Sequence, residues 1–337
     1  MKTCSPGLTF ALSFLHTTTC DNCFIMRPAK ADLCHCGSGG RYEFCHYPID
    51  LASQPNRPKA ARRIYDECWA TNAQHYEAQG CYDWMAQQLQ PYHPTKILEI
   101  GCGAGNGILA FHKSMHGQPF NLISLDENPA CIQRTQGRLL ASGVSTTAIL
   151  RCKTVSQSPK THAILNIPKR LPSTLQSTVT LLEADVLVED AAVINFLRGQ
   201  SPYDAIIVWL IGTHQVRHEC LNLHALQISS PGDYRLRVQN RCYELANELL
   251  RIGGVLNTVD RGAIPSNDAL VQDCLNGHRQ QADGFHTTLE VQNHLRFFPY
   301  TEPTVLKRIV MMPTPGISGN ICDTSQVCMK SIIAIKR

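Results

Sequence analysis

The sequence predicts an α/β protein with a doubly wound, mostly parallel sheet that is covered by helices on both faces. From Lys96 onward, short apolar runs alternate with amphipathic segments, and this alternation is typical of parallel βαβ units. The apolar runs are continuous, as expected for strands that are buried on both faces. The composition, 43% hydrophobic and 17% charged over 337 residues, is that of an ordinary globular protein with a sizeable core.

The predicted elements follow from the spacing of apolar residues. Two helices are expected within 61–91, because apolar residues recur there at helical spacing on either side of Gly80. Strands are predicted at the apolar runs 96–102, 120–127, 178–186, 204–212, 255–260, 294–300 and 330–337. Helices are predicted between them at 107–115, 130–143, 191–199 and 234–254.

The same signals divide the chain into segments. Residues 1–25 are an N-terminal extension that could be disordered, residues 26–50 form a cysteine-rich module, and residues 51–60 are a polar, proline-bearing linker. The helical segment at 61–91 precedes the large domain at 92–337. Within that domain, residues 144–178 fit no predicted element and are interpreted as an insertion. Such an insertion either caps a substrate cleft or is a passive surface excursion.

Cysteine usage and hydropathy indicate the compartment. The sixteen cysteines are scattered and lie mostly in hydrophobic patterns, whereas secreted disulfide scaffolds are short and cysteine-dense throughout. We therefore expect a cytoplasmic protein with mostly free thiols. No stretch approaches the ~20 apolar residues of a membrane span, so no membrane partner is expected. The apolar run within residues 1–25 lacks the cleavage site of a signal peptide, and Met26 could be the true start.

The cysteine-rich module contains a candidate metal site. Cys34, Cys36, Cys45 and His46 have the spacing C-x-C-x8-C-H, and a set of four thiolate and imidazole ligands suits tetrahedral zinc. So short a segment has no core of its own, and metal would supply its folding free energy. A phosphate loop is disfavoured because no strand–loop–helix context follows, and four ligands already close the site without the nearby Cys20–Cys23 pair.

The module resembles the SEC-C zinc motif, which was first recognised at the C-terminus of the SecA translocation ATPase. The segment CHCGSGGRYEFCHY carries the resemblance, which extends over about residues 28–50. It implies that the module binds a protein partner. Residues 26–63 hold seven Lys or Arg against three Asp or Glu, which equals the whole net charge of +4. This excess predicts either an acidic partner, such as a protein surface or nucleic acid, or solubility alone.

A glycine-rich loop follows the first predicted strand in LEIGCGAGNG, residues 98–107. Glycines there permit a tight turn and a close approach of a ligand to the helix N-terminus. The spacing fails the G-x-G-x-x-G dinucleotide fingerprint. Glu99 would repel a pyrophosphate and would favour a cationic ligand such as an ammonium or a sulfonium. Asp126 and Asp185 close the next two strands, where carboxylates can accept ribose hydroxyls and an adenine amino group.

These residues resemble the class I S-adenosylmethionine-dependent methyltransferases over about residues 92–337. ILEIGCGAGNG is similar to their first motif, and SLDEN and EADV are similar to their second- and third-strand acids. The resemblance implies a Rossmann-like sheet of seven strands with the last strand antiparallel, and a cleft at the carboxyl ends of the strands. It implies S-adenosylmethionine as cofactor, bound by Glu99, Gly101, Gly103, Asp126 and Asp185.

The loop after the fourth strand holds the candidate catalytic residue. The strand is predicted to end near Gly212, so Thr213 and His214 are expected to face the cleft. The sequence there is Ile-Gly-Thr-His rather than the Asn/Asp-Pro-Pro-Tyr/Phe of many amino-group methyltransferases, which argues against familiar adenine-N6 or glutamine methylation. His214 is either a general base, with His218 or Glu219 nearby, or a solvated loop histidine.

These observations predict a methyltransferase whose zinc module recruits it to a partner. The methyl acceptor, whether protein, RNA or small molecule, cannot be read from the residues. The alternative prediction is a non-catalytic, cofactor-binding adaptor that uses the zinc module to bind a protein or nucleic-acid partner.

Overall fold

The computed structural model describes residues 28–36, 39–158, 161–228, 230–310 and 326–337. The predicted extension at 1–25 and the Cys20–Cys23 pair lie outside the described residues. The helices are α1 Tyr47–Leu51, α2 Arg57–Ala78, α3 Cys81–Gln87, α4 Asn106–Ser114, α5 Pro129–Ala141, α6 Ala191–Gln200, α7 Pro231–Leu249 and α8 Asp268–Gly284.

A mixed sheet of nine strands forms the body of the protein. Its strands are β1 Lys96–Ile100, β2 Asn121–Asp126, β3 Thr146–Ile149, β6 Val179–Glu183, β7 Tyr203–Trp209, β8 Leu250–Ala263, β9 Leu289–Val291, β10 Arg296–Tyr300 and β11 Val327–Lys336. Two further strands, β4 Cys152–Ser158 and β5 Thr161–Asn166, form a separate antiparallel hairpin.

The order of the main sheet is β10-β11-β8-β7-β1-β2-β6-β3, and β9 also pairs with β11. Strands β3, β6, β2, β1, β7 and β8 are parallel, while β11 runs antiparallel to β8. The predicted fold class, an α/β protein with a mostly parallel sheet and flanking helices, is confirmed. The carboxyl ends of the parallel strands therefore meet along one edge, where the predicted functional residues lie.

The predicted strand number of seven is wrong. The additional strand β3 pairs with β6 at one edge, and the other edge is formed by two short strands, β9 and β10, in succession along β11. β10 lies within the predicted run 294–300. β3 and β9 escape a search for apolar runs because they are short and because an edge strand is only partly buried. The segment 144–178, predicted to fit no element, contains β3 and the β4–β5 hairpin.

Helices cover both faces of the sheet. Along β1, side chains that point to opposite faces pack against different sets of helices. Ile97 packs into a cluster that includes residues of α2, α3 and α4, whereas Leu98 and Ile100 pack into a second cluster with residues of α6 and α7. Both kinds of position are apolar because each face carries a helical layer. No helix in the described part of the chain is long and apolar enough to cross a membrane.

Candidate functional site

A cleft opens at the carboxyl ends of β1, β2, β6 and β7. All five residues predicted to bind the cofactor line it, namely Glu99, Gly101, Gly103, Asp126 and Asp185. The sheet order brings them together because β1 lies between β2 and β7, and β6 lies beside β2. Their role in binding remains a prediction, but their placement matches the site that open α/β sheets use for ligands.

The glycine loop between β1 and α4 has a backbone that side chains would not tolerate. Gly101, Gly103 and Gly105 have φ angles of 88°, 52° and 79°, which lie in the left-handed region that favours glycine. A Cβ on Gly103 would also lie 2.4 Å from the indole nitrogen of Trp69. The loop is thus constrained both by its turn and by the helix α2 that covers it.

Asp126, at the end of β2, is fixed against this loop. Its Oδ2 accepts a hydrogen bond from the Gly103 N–H at 3.2 Å, and its Oδ1 accepts one from the Asn128 N–H at 2.8 Å. Burial raises the pKa of the carboxyl to about 6. The carboxylate therefore sits beside the glycine turn, in the position expected of a group that binds the ribose hydroxyls.

Glu99 is buried, with 3% of its surface exposed. Its Oε2 accepts a hydrogen bond from the Ser124 hydroxyl at 2.6 Å. Burial raises its pKa to about 8, since the hydrogen bond from Ser124 offsets only part of the desolvation and the nearby Asp126 raises the pKa further. Two acids with raised pKa values in one cleft favour a cationic ligand, because a positive charge stabilises the ionised form of both.

Asp185, at the far side of the cleft, is not free. It forms an ion pair with Arg217, a buried residue of the loop after β7, and its Oδ1 accepts a hydrogen bond from the Leu187 N–H at 3.0 Å. The Arg217 guanidinium also lies 3.8 Å from Glu127 Oε2 and 5.5 Å from the centre of the Tyr234 ring. Arg217 thus contacts three residues that line the cleft.

Glu127 follows Asp126 directly and was not among the predicted site residues. Its carboxylate accepts a hydrogen bond from Arg62 Nε at 3.0 Å. Burial opposes its ionisation, but Arg62, Arg217 and His214 outweigh that effect and lower its pKa to about 2. The tandem acids Asp126–Glu127 were visible in the sequence, but nothing in it paired Glu127 with arginines so far away along the chain.

His214 lies behind Glu127 rather than in the cleft lining. Its Nε2 is 3.6 Å from Glu127 Oε1, and only 2% of the residue is exposed. The alternative of a solvated loop histidine is therefore wrong. Burial lowers its pKa to about 4, so the imidazole is neutral at pH 7. Of its predicted neighbours, Glu219 pairs with Arg57 and His218 is exposed. The role of His214 as a base stays a prediction without a direct path to the cleft.

Aromatic side chains of α2 cover the cleft. Trp69 lies over Gly103, and the Tyr65 hydroxyl would lie 2.2 Å from a Cβ on Gly212. Both residues line the cleft, as does Tyr82 of α3. They follow the helical spacing that also marks core residues, and this is why the sequence did not distinguish them from the core. Trp69 thus packs against the glycine loop, in which Gly101 and Gly103 stay partly exposed.

The four predicted metal ligands also come together. Cys34 Sγ lies 3.2 Å and Cys45 Sγ 3.4 Å from His46 Nδ1, and Cys36 Sγ lies 3.5 Å from Cys45 Sγ. All four ligand atoms fall within 4.8 Å of one another, and no other such group occurs in the described ranges. With Zn–S near 2.3 Å and Zn–N near 2.0 Å, tetrahedral ligand atoms lie roughly 3.5–3.8 Å apart. The three shorter distances lie within a few tenths of an ångström of these values, and the widest pair, at up to 4.8 Å, would close by about 1 Å around a single ion.

Comparisons with known proteins were made at the levels of family, sequence and structure. No family model matches the chain, and no curated protein matches its sequence. Among solved structures, an O-methyltransferase from Streptomyces achromogenes involved in tomaymycin synthesis, in complex with S-adenosylmethionine, is 11% identical over 80% of this chain and 90% of that chain, with a TM-score of 0.37.

Two further solved structures are similar at the same level. An S-adenosylmethionine-dependent O-methyltransferase from Thermotoga maritima is 14% identical over 76% of this chain and 64% of that chain, with a TM-score of 0.33. A precorrin-8w decarboxylase from Methanobacterium thermoautotrophicum is 13% identical over 76% of this chain and 90% of that chain, with a TM-score of 0.35. Similarity this low does not assign an activity to the chain.

Proposed function

We propose that the chain is a class I S-adenosylmethionine-dependent methyltransferase. The observation that carries the proposal is the lining of the cleft. The glycine loop after β1 and acids at the ends of β1, β2 and β6 lie side by side there, and this is the arrangement expected of such a cofactor site. In this proposal Asp126 binds the ribose and Glu99 stabilises the positive charge. Asp185, which is paired with Arg217, binds the adenine end.

The charge of the cleft supports this ligand over a nucleotide phosphate. Glu99 and Asp126 both line the cleft near the glycine loop, and burial raises the pKa of each. A phosphate would meet two carboxyl groups there, whereas a sulfonium or an ammonium would be stabilised by them. The protein would thus select the cation partly through acids that release their protons as it binds.

The residues of this chain would contribute position and exclusion of water rather than covalent chemistry. Bound S-adenosylmethionine would supply a methyl group that its sulfonium already activates. Trp69 and Tyr65 would hold the cleft closed over the glycine loop, and the fixed carboxylates would orient the ligand. A general base is needed only if the acceptor must lose a proton.

We further propose that Cys34, Cys36, Cys45 and His46 bind a structural zinc ion. The closeness of the four ligand atoms, all within 4.8 Å of one another, supports this, and four protein ligands leave no open position for catalysis. Recruitment of a protein partner, as the SEC-C resemblance implies, is part of the proposal. The candidate acceptors are proteins, RNAs and small molecules.

The alternative is an adaptor that binds the cofactor without turnover. The burial of His214 behind Glu127 favours it, since the predicted base does not line the cleft. The deciding experiment incubates the zinc-loaded protein with methyl-labelled S-adenosylmethionine and a lysate separated into protein, RNA and small molecules. Label in one fraction, reduced with Asp126→Asn, supports the enzyme. Cofactor binding without any transfer supports the adaptor.

A further inference from the structure

The cysteine-rich module is packed against the body of the protein through α1. His46, one of the proposed zinc ligands, immediately precedes this helix. A helix of five residues is not stable alone, so its position depends on its attachments. Ile49 of α1 is fully buried, in a cluster with Ala61 of α2 and Val216 of the loop after β7.

A chain of polar contacts follows the same route. The Tyr42 hydroxyl donates a hydrogen bond to Asp50 Oδ2 at 2.8 Å, and Tyr42 itself packs with Cys34 and Cys45. Asp50 Oδ1 lies 3.3 Å from Arg57, whose Nη2 donates a hydrogen bond to Glu219 Oε1 at 2.8 Å. Arg57 and Glu219 are largely buried, at 18% and 9% side-chain exposure, so solvent screens this link less than it screens a surface pair.

The loop that receives these contacts, residues 210–228, depends on its anchors. It contains only two short 3-10 turns, Arg217–Glu219 and Leu221–Leu226. Arg217 and Glu219 belong to the same turn, and Arg217 pairs with the cleft residues Asp185 and Glu127. A shift of Glu219 would therefore move Arg217, which links the loop to both cleft acids.

We propose that the metal-bound cysteine-rich module supports the cofactor cleft. Zinc holds α1 in place, α1 holds the turn Arg217–Glu219 through Ile49 and through Asp50 and Arg57, and the turn places Arg217 between Asp185 and Glu127. Arg217 is thus a positioning residue. The inference rests on the proposed function for the identity of the ligand, and it gives the zinc site a role in addition to recruitment.

The test separates the effect of the Arg57–Glu219 contact from the effect of the zinc ion. Glu219→Ala removes the contact with Arg57 but leaves all four zinc ligands, and the matched control Glu248→Ala removes the exposed partner of Arg198 on the surface. For each protein we would measure zinc content, the Kd for S-adenosylmethionine by calorimetry, and hydrogen exchange of residues 210–228. The same measurements would be made on the wild type after a chelator removes zinc.

We expect Glu219→Ala to keep one zinc ion per chain, to weaken cofactor binding by about 2- to 30-fold, and to raise exchange in the loop. Zinc removal from the wild type should produce the same two changes, and it should add little in Glu219→Ala. Affinity and loop exchange equal to those of Glu248→Ala would overturn the inference. If the zinc-loaded wild type bound no cofactor, the proposed function would fail, while the exchange data would still decide whether module and loop are coupled.

Discussion

At the scale of single residues, the acids of the cleft make cofactor binding depend on pH. The raised pKa of Glu99, about 8, means that the free protein holds a proton there at pH 7. A bound sulfonium would lower that pKa, so binding should release protons and affinity should rise as pH approaches 8. Calorimetry in buffers of different ionisation enthalpy measures this release. We expect it in the wild type and not in Glu99→Gln, and equal heats in all buffers for the wild type would contradict the prediction.

The same residue affects stability with a defined sign. The folded state keeps a proton on Glu99 up to about pH 8, whereas an unfolded glutamate releases it near 4.5. Its contribution to the free energy of unfolding is therefore full below pH 4.5 and is lost as pH rises through 8. Urea denaturation of the free protein between pH 5 and 9 should show a decline that is shallower in Glu99→Gln. An identical slope in both proteins would show that Glu99 is not protonated in the fold.

Some residues of the site could be predicted from the sequence, and others could not. Glu99, Asp126 and Asp185 could be found because each closes an apolar run, and chain order alone places such residues at one edge of a parallel sheet. Arg217 could not be found, since its partners Asp185 and Glu127 lie far away along the chain and only the packed loop brings them together. Contacts of this kind depend on tertiary structure and leave no periodic signal.

At the scale of elements, the turn from β1 to α4 is the most constrained. Gly103 has a φ of +52°, and a Cβ there would overlap the indole of Trp69. Gly103→Ala should cost about 1–2 kcal/mol for the left-handed backbone and about 1–3 kcal/mol more for overpacking, and it should abolish cofactor binding. The matched control is Gly143→Ala, where φ is +76° and nothing lies within 4 Å.

Urea denaturation and cofactor titration of both variants measure the difference. We expect Gly143→Ala to carry only the backbone cost and to bind normally. Equal loss of stability in the two variants would mean that Trp69 moves aside freely, and the role of α2 as a cover over the glycine loop would have to be abandoned.

The helices and strands differ in how well they could be predicted from the sequence. β7, which is buried along its length, appears as the continuous run DAIIVWL and was predicted. β3 has four partly exposed residues, TTAI, and was not. Helix α8 was also not predicted, although Asn267 caps it by accepting a hydrogen bond from the Leu270 N–H. An apolar run is a reliable signal only where both faces of a strand are covered.

At the scale of the whole molecule, the cysteine-rich module should depend on metal. We expect one zinc ion per chain by elemental analysis, and a lower denaturation midpoint after chelation, because metal supplies the folding free energy of so small a module. Cys45→Ser should lose the zinc and show the same lowered midpoint. The matched control Cys81→Ser changes a buried cysteine of α3 outside the cluster and should keep the zinc. Full stability of the metal-free wild type would contradict a structural zinc site.

The central claim is that the cleft binds S-adenosylmethionine, and titration calorimetry of the zinc-loaded protein tests it most directly. The wild type and the surface control Asp83→Asn should bind one molecule per chain. Asp126→Asn should weaken binding by about 10- to 100-fold, because it removes a charged hydrogen-bond acceptor. No binding by a folded, zinc-loaded wild type, or an unchanged Kd in Asp126→Asn, would contradict the account.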